Sequence, residues 1–357
     1  MIPRGAVIGV LGGGQLGRML ALAAYRLGYR VHIFAPEEGP ATQVSPLRTL
    51  ASYDDEPALL AFADRVDVVT CEFENVPARA AELLASRVPV RPGVLALATC
   101  QDRWLEKGLL ASLDMPTAPW RAVRDEHDVA RAVQEIGGPC ILKTARLGYD
   151  GKGQARLASP DQARQAWEEI GGPSHRLGVV EGKVDFLWEG SQVLARGLDG
   201  QLAFYELVEN RHERGILRET LAPAPRGSLA LGEQARLLAA RIADRLDIVG
   251  LLAVELFVLA DGSLAVNELA ARPHNSAHWT QDGARICQFE QLVRAIAGLP
   301  LGDPGLRGPT RMLNLLGEEI LERDRWASTP GARLHDYGKD ELLPGRKMGH
   351  VNLVQRG

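Results

Sequence analysis

The residues with the most chemistry in this sequence flank Asp261-Gly262. An Asp-Gly pair between alternating apolar runs predicts a two-residue hairpin turn, here joining Leu251–Ala260 to Ser263–Ala270. That register sets Glu255 directly opposite Glu268, on a face shared with Ala253, Phe257, Leu264, Val266 and Ala270. Two carboxylates roughly 5 Å apart among apolar neighbours repel one another and lose hydration. They must share a proton or clamp a divalent cation. With Asn267 beside Glu268, oxygen ligation of Mg²⁺ by Glu255, Glu268 and Asn267 is the economical answer, since that ion usually bridges to substrate phosphates. A register slipped by one residue would turn both glutamates outward instead.

The hairpin runs directly into Ala271-Arg272-Pro273-His274-Asn275-Ser276-Ala277-His278-Trp279, too polar for a regular element between two structured ones. Arg272 has the planar fork that suits a carboxylate, phosphate or bicarbonate. A lone histidine is commonly structural, but His274 stands a few residues from the expected metal. Upstream, Lys143 ends an apolar strand and Arg146-Leu147-Gly148-Tyr149-Asp150-Gly151-Lys152-Gly153-Gln154 follows at once. Such a loop can fold over a polyphosphate, its amides donating and Lys143 supplying charge; it equally reads as a hairpin turned at Asp150-Gly151. It lacks Walker A spacing. Gly12-Gly13-Gly14-Gln15-Leu16-Gly17, with Glu37 20 residues after the last glycine, fits a dinucleotide fingerprint or simply a tight strand-to-helix turn. Glu72-Phe73-Glu74-Asn75 follows a strand at the end where open sheets bind ligands, or forms an exposed acidic turn. Pro344-Gly345-Arg346-Lys347-Met348-Gly349-His350 is a basic anion loop or a solvated turn.

The elements that must position these groups fall into three regions. Ala6–Leu11, Arg30–Phe34 and Val66–Cys71 read as strands, alternating with helical spacing over Gln15–Leu27 and Asp54–Arg65. That alternation predicts βαβ units and a parallel sheet, closed near Arg87–Pro92. A second region opens at Asp102, placed to cap a helix, and passes through the proline-extended Met115–Trp120. It continues through a helix at Asp125–Ile136, a strand at Pro139–Thr144 and β-rich sequence from Leu177 to Leu221. The stripe Leu231, Ala235, Leu238, Ile242 and Leu246 makes Ser228–Leu246 an amphipathic helix. Leu299–Pro309 reads as a linker to a small C-terminal module.

Composition narrows the function. The 357 residues carry 41 Lys+Arg against 45 Asp+Glu, with the signs interspersed, which excludes a strongly basic polyanion binder and an acidic tail. No membrane is implied, because no window of 18 apolar residues escapes a charge, and the N-terminus has no signal-peptide pattern. Four separated cysteines, in neither CxxC nor zinc spacing, suit free thiols in a reducing compartment, so the expected location is cytoplasmic.

Several segments, in order, resemble the ATP-grasp superfamily and, within it, the 5-(carboxyamino)imidazole ribonucleotide synthases. Gly12–Leu20 is similar to that family's G-x-G-Q-L-G-R-M-L opening, Leu113–Trp120 to L-x-x-P-T-A-P-W, and Gly148–Gln154 to G-Y-D-G-K-G-Q. Glu209–His212 with Gly215–Leu217 resembles E-N-x-H…G-I-L, Asn267–Thr280 the N-E-x-A-P-R-P-H-N-S-x-H-W-T signature, and Pro344–Asn352 a P-G-R-K-M-G-H-x-N ending. Leu147 departs from the pattern, standing where the family commonly has another glycine.

The resemblance implies an α/β fold: a Rossmann-like pre-ATP-grasp domain over 1–100, an ATP-grasp domain over 101–298 with its lid at about 117–190, and a small C-terminal domain over 299–357. It implies that ATP, bicarbonate and 5-aminoimidazole ribonucleotide react through carboxyphosphate, with Mg²⁺ as cofactor and a homodimer as the assembly. By the same likeness Arg103, Lys143, Gly148, Tyr149, Asp150, Gly151, Lys152, Gly153 and Gln154 would hold ATP phosphates. Glu181, Gly182, Lys183, Val184, Glu189 and His212 would surround adenine and ribose, with Asn267 and Glu268 toward the nucleotide. Arg272, His274 and Asn275 would receive bicarbonate under Tyr149 and Asp150. Gln15, Glu72, Lys339, Arg346 and Lys347 would bind the ribonucleotide. The competing readings are a formate-dependent glycinamide ribonucleotide transformylase or another sister ligase, an NAD-dependent oxidoreductase built on Gly12–Gly17, and a nucleotide-binding protein without turnover.

Overall fold

The computed structural model of the chain describes residues 1–148, 152–171 and 177–355. Strands β1 (Val7–Leu11), β2 (Arg30–Ala35), β3 (Leu47–Leu50) and β4 (Val68–Cys71) form a parallel sheet in the order β3-β2-β1-β4. Its central strands are buried on both faces, as continuous apolar runs such as Val7–Leu11 require. Helix α1 (Gln15–Arg26) covers one face, and α2 (Glu56–Ala63) and α3 (Ala78–Ala85) pack together on the other, around Phe62 and Leu84. Helices α4 (Val94–Gln101) and α5 (Arg103–Ser112) lead out of this unit. Asp102 caps α5, its carboxylate accepting from the Trp104 amide at 2.9 Å.

Strand β5 (Trp120–Val123), helix α6 (Glu126–Ile136), strands β6 (Cys140–Thr144) and β7 (Gln154–Leu157), helix α7 (Ala163–Glu169) and strand β8 (Gly178–Gly182) form a small separate layer. Its antiparallel sheet runs β5-β8-β6-β7, and α6 and α7 bury Val129, Val133 and Trp167 against it.

The third sheet has nine strands. It comprises β9 (Phe186–Arg196), β10 (Leu202–Phe204), β11 (Val208–Glu213), β12 (Ile216–Ala222), β13 (Gly250–Leu259), β14 (Leu264–Ala270), β15 (Thr310–Leu316), β16 (Ala332–Asp336) and β17 (Lys347–Val354), in the order β14-β13-β9-β11-β12-β15-β17-β16 with β10 beside β9. Helix α8 (Leu229–Arg245) lays the expected stripe, Leu231 to Ile242, onto one face over Val254, Leu256 and Val258. After α9 (Thr280–Gly283), α10 (Gln288–Ala297) packs against α1, so Phe289, Val293 and Ile296 share a core with Leu20 and Ala24 of the first unit. Helix α11 (Arg323–Ser328) closes the C-terminal end. The C-terminal strands are not a free-standing sheet, because β15 pairs with β12 from Glu219↔Leu313 to Ala222↔Thr310. No helix of the described residues is long and apolar enough to cross a membrane, and all four cysteines are free.

Candidate active site

Glu255 and Glu268 are Cα partners across β13 and β14, as the sequence predicts, but two departures cancel to put them there. The turn is one residue longer than expected, so Leu256, Phe257 and Val258 pair with Val266, Ala265 and Leu264. Asn267 is then the extra residue of a β-bulge, which restores the register at Glu268. The face assignment changes with it: Leu264 and Val266 lie on the other side, in the core under α8. The glutamates share their face with Ala253, Phe257, Ala265 and Ala270 instead.

Each carboxylate has its own nitrogen partner. His274 Nε2 lies 3.1 Å from Glu255, and Arg103 Nη2 donates to Glu268 at 3.1 Å. Burial pushes the Glu255 carboxyl upward, but the His274 hydrogen bond and the charges of His274, His212 and Lys347 hold it down at about 2. Asn267 Oδ1 is shielded from solvent with no partner among the described residues. An orphaned amide oxygen beside two opposed carboxylates is a hard-oxygen donor set of the kind a small divalent cation takes, so these residues fit Mg²⁺.

Lys143, near the end of β6, sends its buried ammonium to Glu181 on β8 at 3.0 Å. The second Glu181 oxygen lies 3.4 Å from Lys107 Nζ. Burial alone would raise Glu181, yet Lys143, Lys107 and Arg103 hold it down at about 2. Lys143 pairs with Gln154 across β6 and β7, so the glycine-rich segment is a hairpin loop and also stands beside the lysine. A two-residue turn at Asp150-Gly151 would instead set Lys143 opposite Ala158, so the register does not follow that reading. At Gly153, φ is +68° and a Cβ would come 2.8 Å from Thr144 Oγ1, so the loop seats on Thr144 only without a side chain there. Gly148 packs over the same hydroxyl, and Lys152 is exposed. Tyr149, Asp150 and Gly151 lie outside the described residues. Leu147 holds φ +66° with its side chain exposed, the backbone state that a glycine would adopt more cheaply.

The connection from β8 to β9 is pinned by Gly182 donating to Pro119 O and Lys183 N to Pro139 O, each at 2.8 Å. It leaves Val184 half-buried and the Lys183 ammonium exposed near Asp185. His212 Nδ1 on β11 lies 2.6 Å from Glu189 on β9. Burial works against the imidazolium, but Glu189 and Glu255 outweigh it and raise the His212 pKa.

Beyond the hairpin, Arg272 donates through Nη2 to one oxygen of Glu74 and through Nη1 to the Pro273 carbonyl, and so joins the first unit to the third sheet. Gln288 of α10 fixes the backbone of His274 from both sides, accepting from its N–H and donating to its carbonyl at 2.9 Å each. Both polar atoms of the Asn275 side-chain amide are shielded and unpartnered among the described residues. A charged fork, an oriented imidazole and an unsatisfied amide therefore sit next to the carboxylate pair, an arrangement suited to a small oxyanion.

Three family models cover the chain in sequence: a ribonucleotide synthetase preATP-grasp domain over 6–101, an ATP-grasp domain over 108–289 and a phosphoribosylaminoimidazole carboxylase C-terminal domain over 310–356. An N5-carboxyaminoimidazole ribonucleotide synthase of Brucella melitensis is 46% identical over 98% of this chain and 97% of its own length. The chain belongs to the N5-carboxyaminoimidazole ribonucleotide synthase family. A bifunctional purine synthesis protein of Dictyostelium discoideum is 43% identical over 98% of this chain, which spans 37% of that protein. Among solved structures, an N5-carboxyaminoimidazole ribonucleotide synthetase with ADP superposes at TM-score 0.95, with 40% identity, over 100% of this chain and 94% of that one. The Aspergillus clavatus enzyme with ADP and 5-aminoimidazole ribonucleotide does so at 0.91, with 32% identity, over 99% and 94%.

Within this N5-carboxyaminoimidazole ribonucleotide synthase family fold, the glycine-rich opening has a specific job. The Glu72 carboxylate accepts from the Gly14 amide at 2.8 Å and the Gly17 amide at 3.2 Å. A Cβ at Gly12, where φ is +120°, would collide with that carboxylate. The amides that a dinucleotide phosphate would need are thus taken by the protein itself, which overturns the NAD reading. Burial pushes Glu72 above its usual range, against the pull of those amides, Arg272 and Lys339. Gln15 opens α1 beside this loop. Lys339 Nζ donates to Lys347 O at 2.6 Å, and the Lys347 charge acts on both Glu255 and His212. Arg346 reaches Glu341 on its own loop at 3.4 Å.

Sequence reasoning missed Glu106 and Lys107, both buried on α5. The signal was available: Arg103, Glu106, Lys107 and Leu110 form one helical face, while Leu105 is exposed. A face with three charges buried and a leucine turned outward marks polar work rather than core packing.

Proposed function

We propose that this chain is an ATP-dependent carbon–nitrogen ligase that carboxylates 5-aminoimidazole ribonucleotide with bicarbonate in purine biosynthesis, giving N5-carboxyaminoimidazole ribonucleotide, ADP and phosphate. The observation that carries the reading is the unpartnered Asn275 amide and the Arg272 fork, set beside the Glu255–Glu268 hairpin and within one family-length match. In this reading Arg103, Lys143 and the Gly148–Gln154 loop hold the phosphates, and Glu181 to Val184 with Glu189 and His212 take adenine and ribose. A bicarbonate oxygen attacks the γ-phosphorus as the bond to the ADP oxygen breaks. Arg272, His274 and Asn275 hold the carboxyphosphate so formed, with Tyr149 and Asp150 assigned to the same pocket by resemblance. The substrate amine attacks the carboxyl carbon, the carbon–oxygen bond to phosphate breaks, and the amine proton leaves with the phosphate.

Phosphoryl transfer of this kind depends on positioning and charge neutralisation more than on a strong base. Glu255, Glu268 and Asn267 would hold Mg²⁺, which when bound neutralises charge on the polyphosphate. Gln15, Glu72, Lys339, Arg346 and Lys347 bind the ribonucleotide, the cations meeting its phosphate. Enclosure matters because carboxyphosphate is otherwise lost to water. We divide the chain at about residues 100 and 298 and assign a homodimer, which light scattering on the purified protein tests.

The first experiment is ADP release from Mg·ATP and bicarbonate, with and without 5-aminoimidazole ribonucleotide. Strong stimulation by that nucleotide is expected. Turnover indifferent to it, but raised by formate or another amine, would move the chain to a sister ATP-grasp ligase.

A further inference from the structure

Strand β14 is the edge of the nine-stranded sheet, so its outward backbone groups have no strand to pair with. Near the bulge they are satisfied in an unusual way. Lys107 Nζ donates to Asn267 O at 3.1 Å, and Glu106 Oε2 accepts from Leu269 N at 2.9 Å. These two adjacent side chains of α5 therefore grip the backbone one residue before and one residue after Glu268. Just upstream, the Pro116 carbonyl takes the Val266 amide at 2.7 Å, so the residue before the bulge is held at the edge as well.

Glu106 borders the cleft that Arg103, Gly148 and Glu268 line, but its Oε2 is turned to the β14 backbone. Lys107 is fully buried, and Glu106 is 1% exposed. Yet a lysine with no exposure is costly unless its position does something that an apolar residue cannot. The same ammonium also reaches Glu181 on β8, whose other oxygen holds Lys143. One buried charge thus links the carboxylate hairpin to the strand behind the phosphate-binding lysine.

We infer that Glu106 and Lys107 are positioning residues that hold the β14 bulge in shape, so that Glu268 and the Asn267 amide oxygen face the same divalent cation. The inference rests on the metal reading of the hairpin given above. A bulge leaves a strand locally free to twist, and a bulge on an unpaired edge has least to stop it. Without the clamp, Asn267 and Glu268 no longer converge, and the site keeps its carboxylates but loses their common focus. Charge alone is not the point; the contacts to two backbone groups are.

The test uses Mn²⁺ as a spectroscopic probe of the Mg²⁺ site. Its affinity for the full-length protein with ADP is measured by electron paramagnetic resonance, alongside ADP affinity without metal. Wild type is expected to bind Mn²⁺, and Glu268→Gln to lose it. Lys107→Met is expected to weaken Mn²⁺ at least tenfold more than it weakens metal-free ADP. Glu106→Leu is expected to do the same, whereas Glu106→Gln, which keeps an acceptor oxygen for the Leu269 amide, stays nearer wild type. The two positions give independent routes should one variant fail to fold. Failure of wild type to bind Mn²⁺ would sink the metal reading itself. If wild type binds and Glu268→Gln does not, but the folded clamp variants bind as wild type does, the clamp is wrong. Glu106→Gln and Glu106→Leu losing Mn²⁺ equally would also overturn it.

Discussion

Arg103 donates to Glu268, the same carboxylate that would hold the proposed divalent cation. That makes Glu268→Gln informative: Gln keeps a hydrogen-bond acceptor for Arg103 but gives up the charge a cation needs. Turnover dependent on Mg²⁺ should fall by more than about 100-fold while the thermal melt stays close to wild type. Near-normal activity would refute the metal assignment. Leu147 offers a test of backbone strain instead. It holds φ +66° with an exposed side chain, so little packing is lost on truncation. A left-handed conformation costs a non-glycine residue about 1–2 kcal/mol, and a β-branched residue more. Leu147→Gly should leave the melting temperature unchanged or raise it, and Leu147→Val should lower it, as differential scanning calorimetry would report.

Two elements carry the site, the carboxylate hairpin and the β6–β8 pair, and they differ in how far the sequence announces them. Asp261-Gly262 marks the hairpin, and its simple register finds Glu255 opposite Glu268. The bulge at Asn267 is invisible to alternation, because Val266-Asn267-Glu268 reads equally well as an unbroken strand; hence the wrong face for Leu264 and Val266. Glu106 and Lys107 share a helical face with Arg103 and Leu110, but charged residues on a helix default to solvent, and only the β14 edge shows why these are buried. On β8, Glu181 yields a pH signature. Its carboxyl is held at about 2 in the fold and returns to about 4.3 when the chain unfolds. The unfolded state therefore binds the extra proton first, and the stabilisation is present above about pH 5 and lost as pH falls toward 2. Urea midpoints of wild type and Glu181→Gln should differ most near neutrality and converge in acid. A gap that widened on acidification would contradict the assignment. In the loop before α1, Gly12→Ala should cost several kelvin of melting temperature, since the new Cβ displaces Glu72 and φ +120° is unsuited to alanine.

At the scale of the molecule, the alternation in the first hundred residues was enough to predict the parallel sheet, since βαβ units are local. Pairing of β12 with β15 was not, because the partners are separated by helices, a hairpin and the 299–309 segment, and local periodicity holds no record of long-range neighbours. That pairing predicts how the chain tolerates cutting. A version ending at Pro309 strips β12 of one of its two partners and removes Met312 from a core shared with Trp279 and Tyr205. It should emerge from size exclusion as aggregate, whereas the full chain melts cooperatively; a monodisperse, sharply melting truncation would show the C-terminal strands to be an appendage. The continuous ladder has a mechanical consequence as well. Glu255 and Glu268 at one end and Lys347 toward the other are fixtures of a single hydrogen-bonded wall. The spacing between the hairpin carboxylates and Lys347 is then set by the sheet itself. The small β5–β8 layer shares no hydrogen-bonded ladder with that wall among the described residues, so a shift of one against the other breaks no strand pairing.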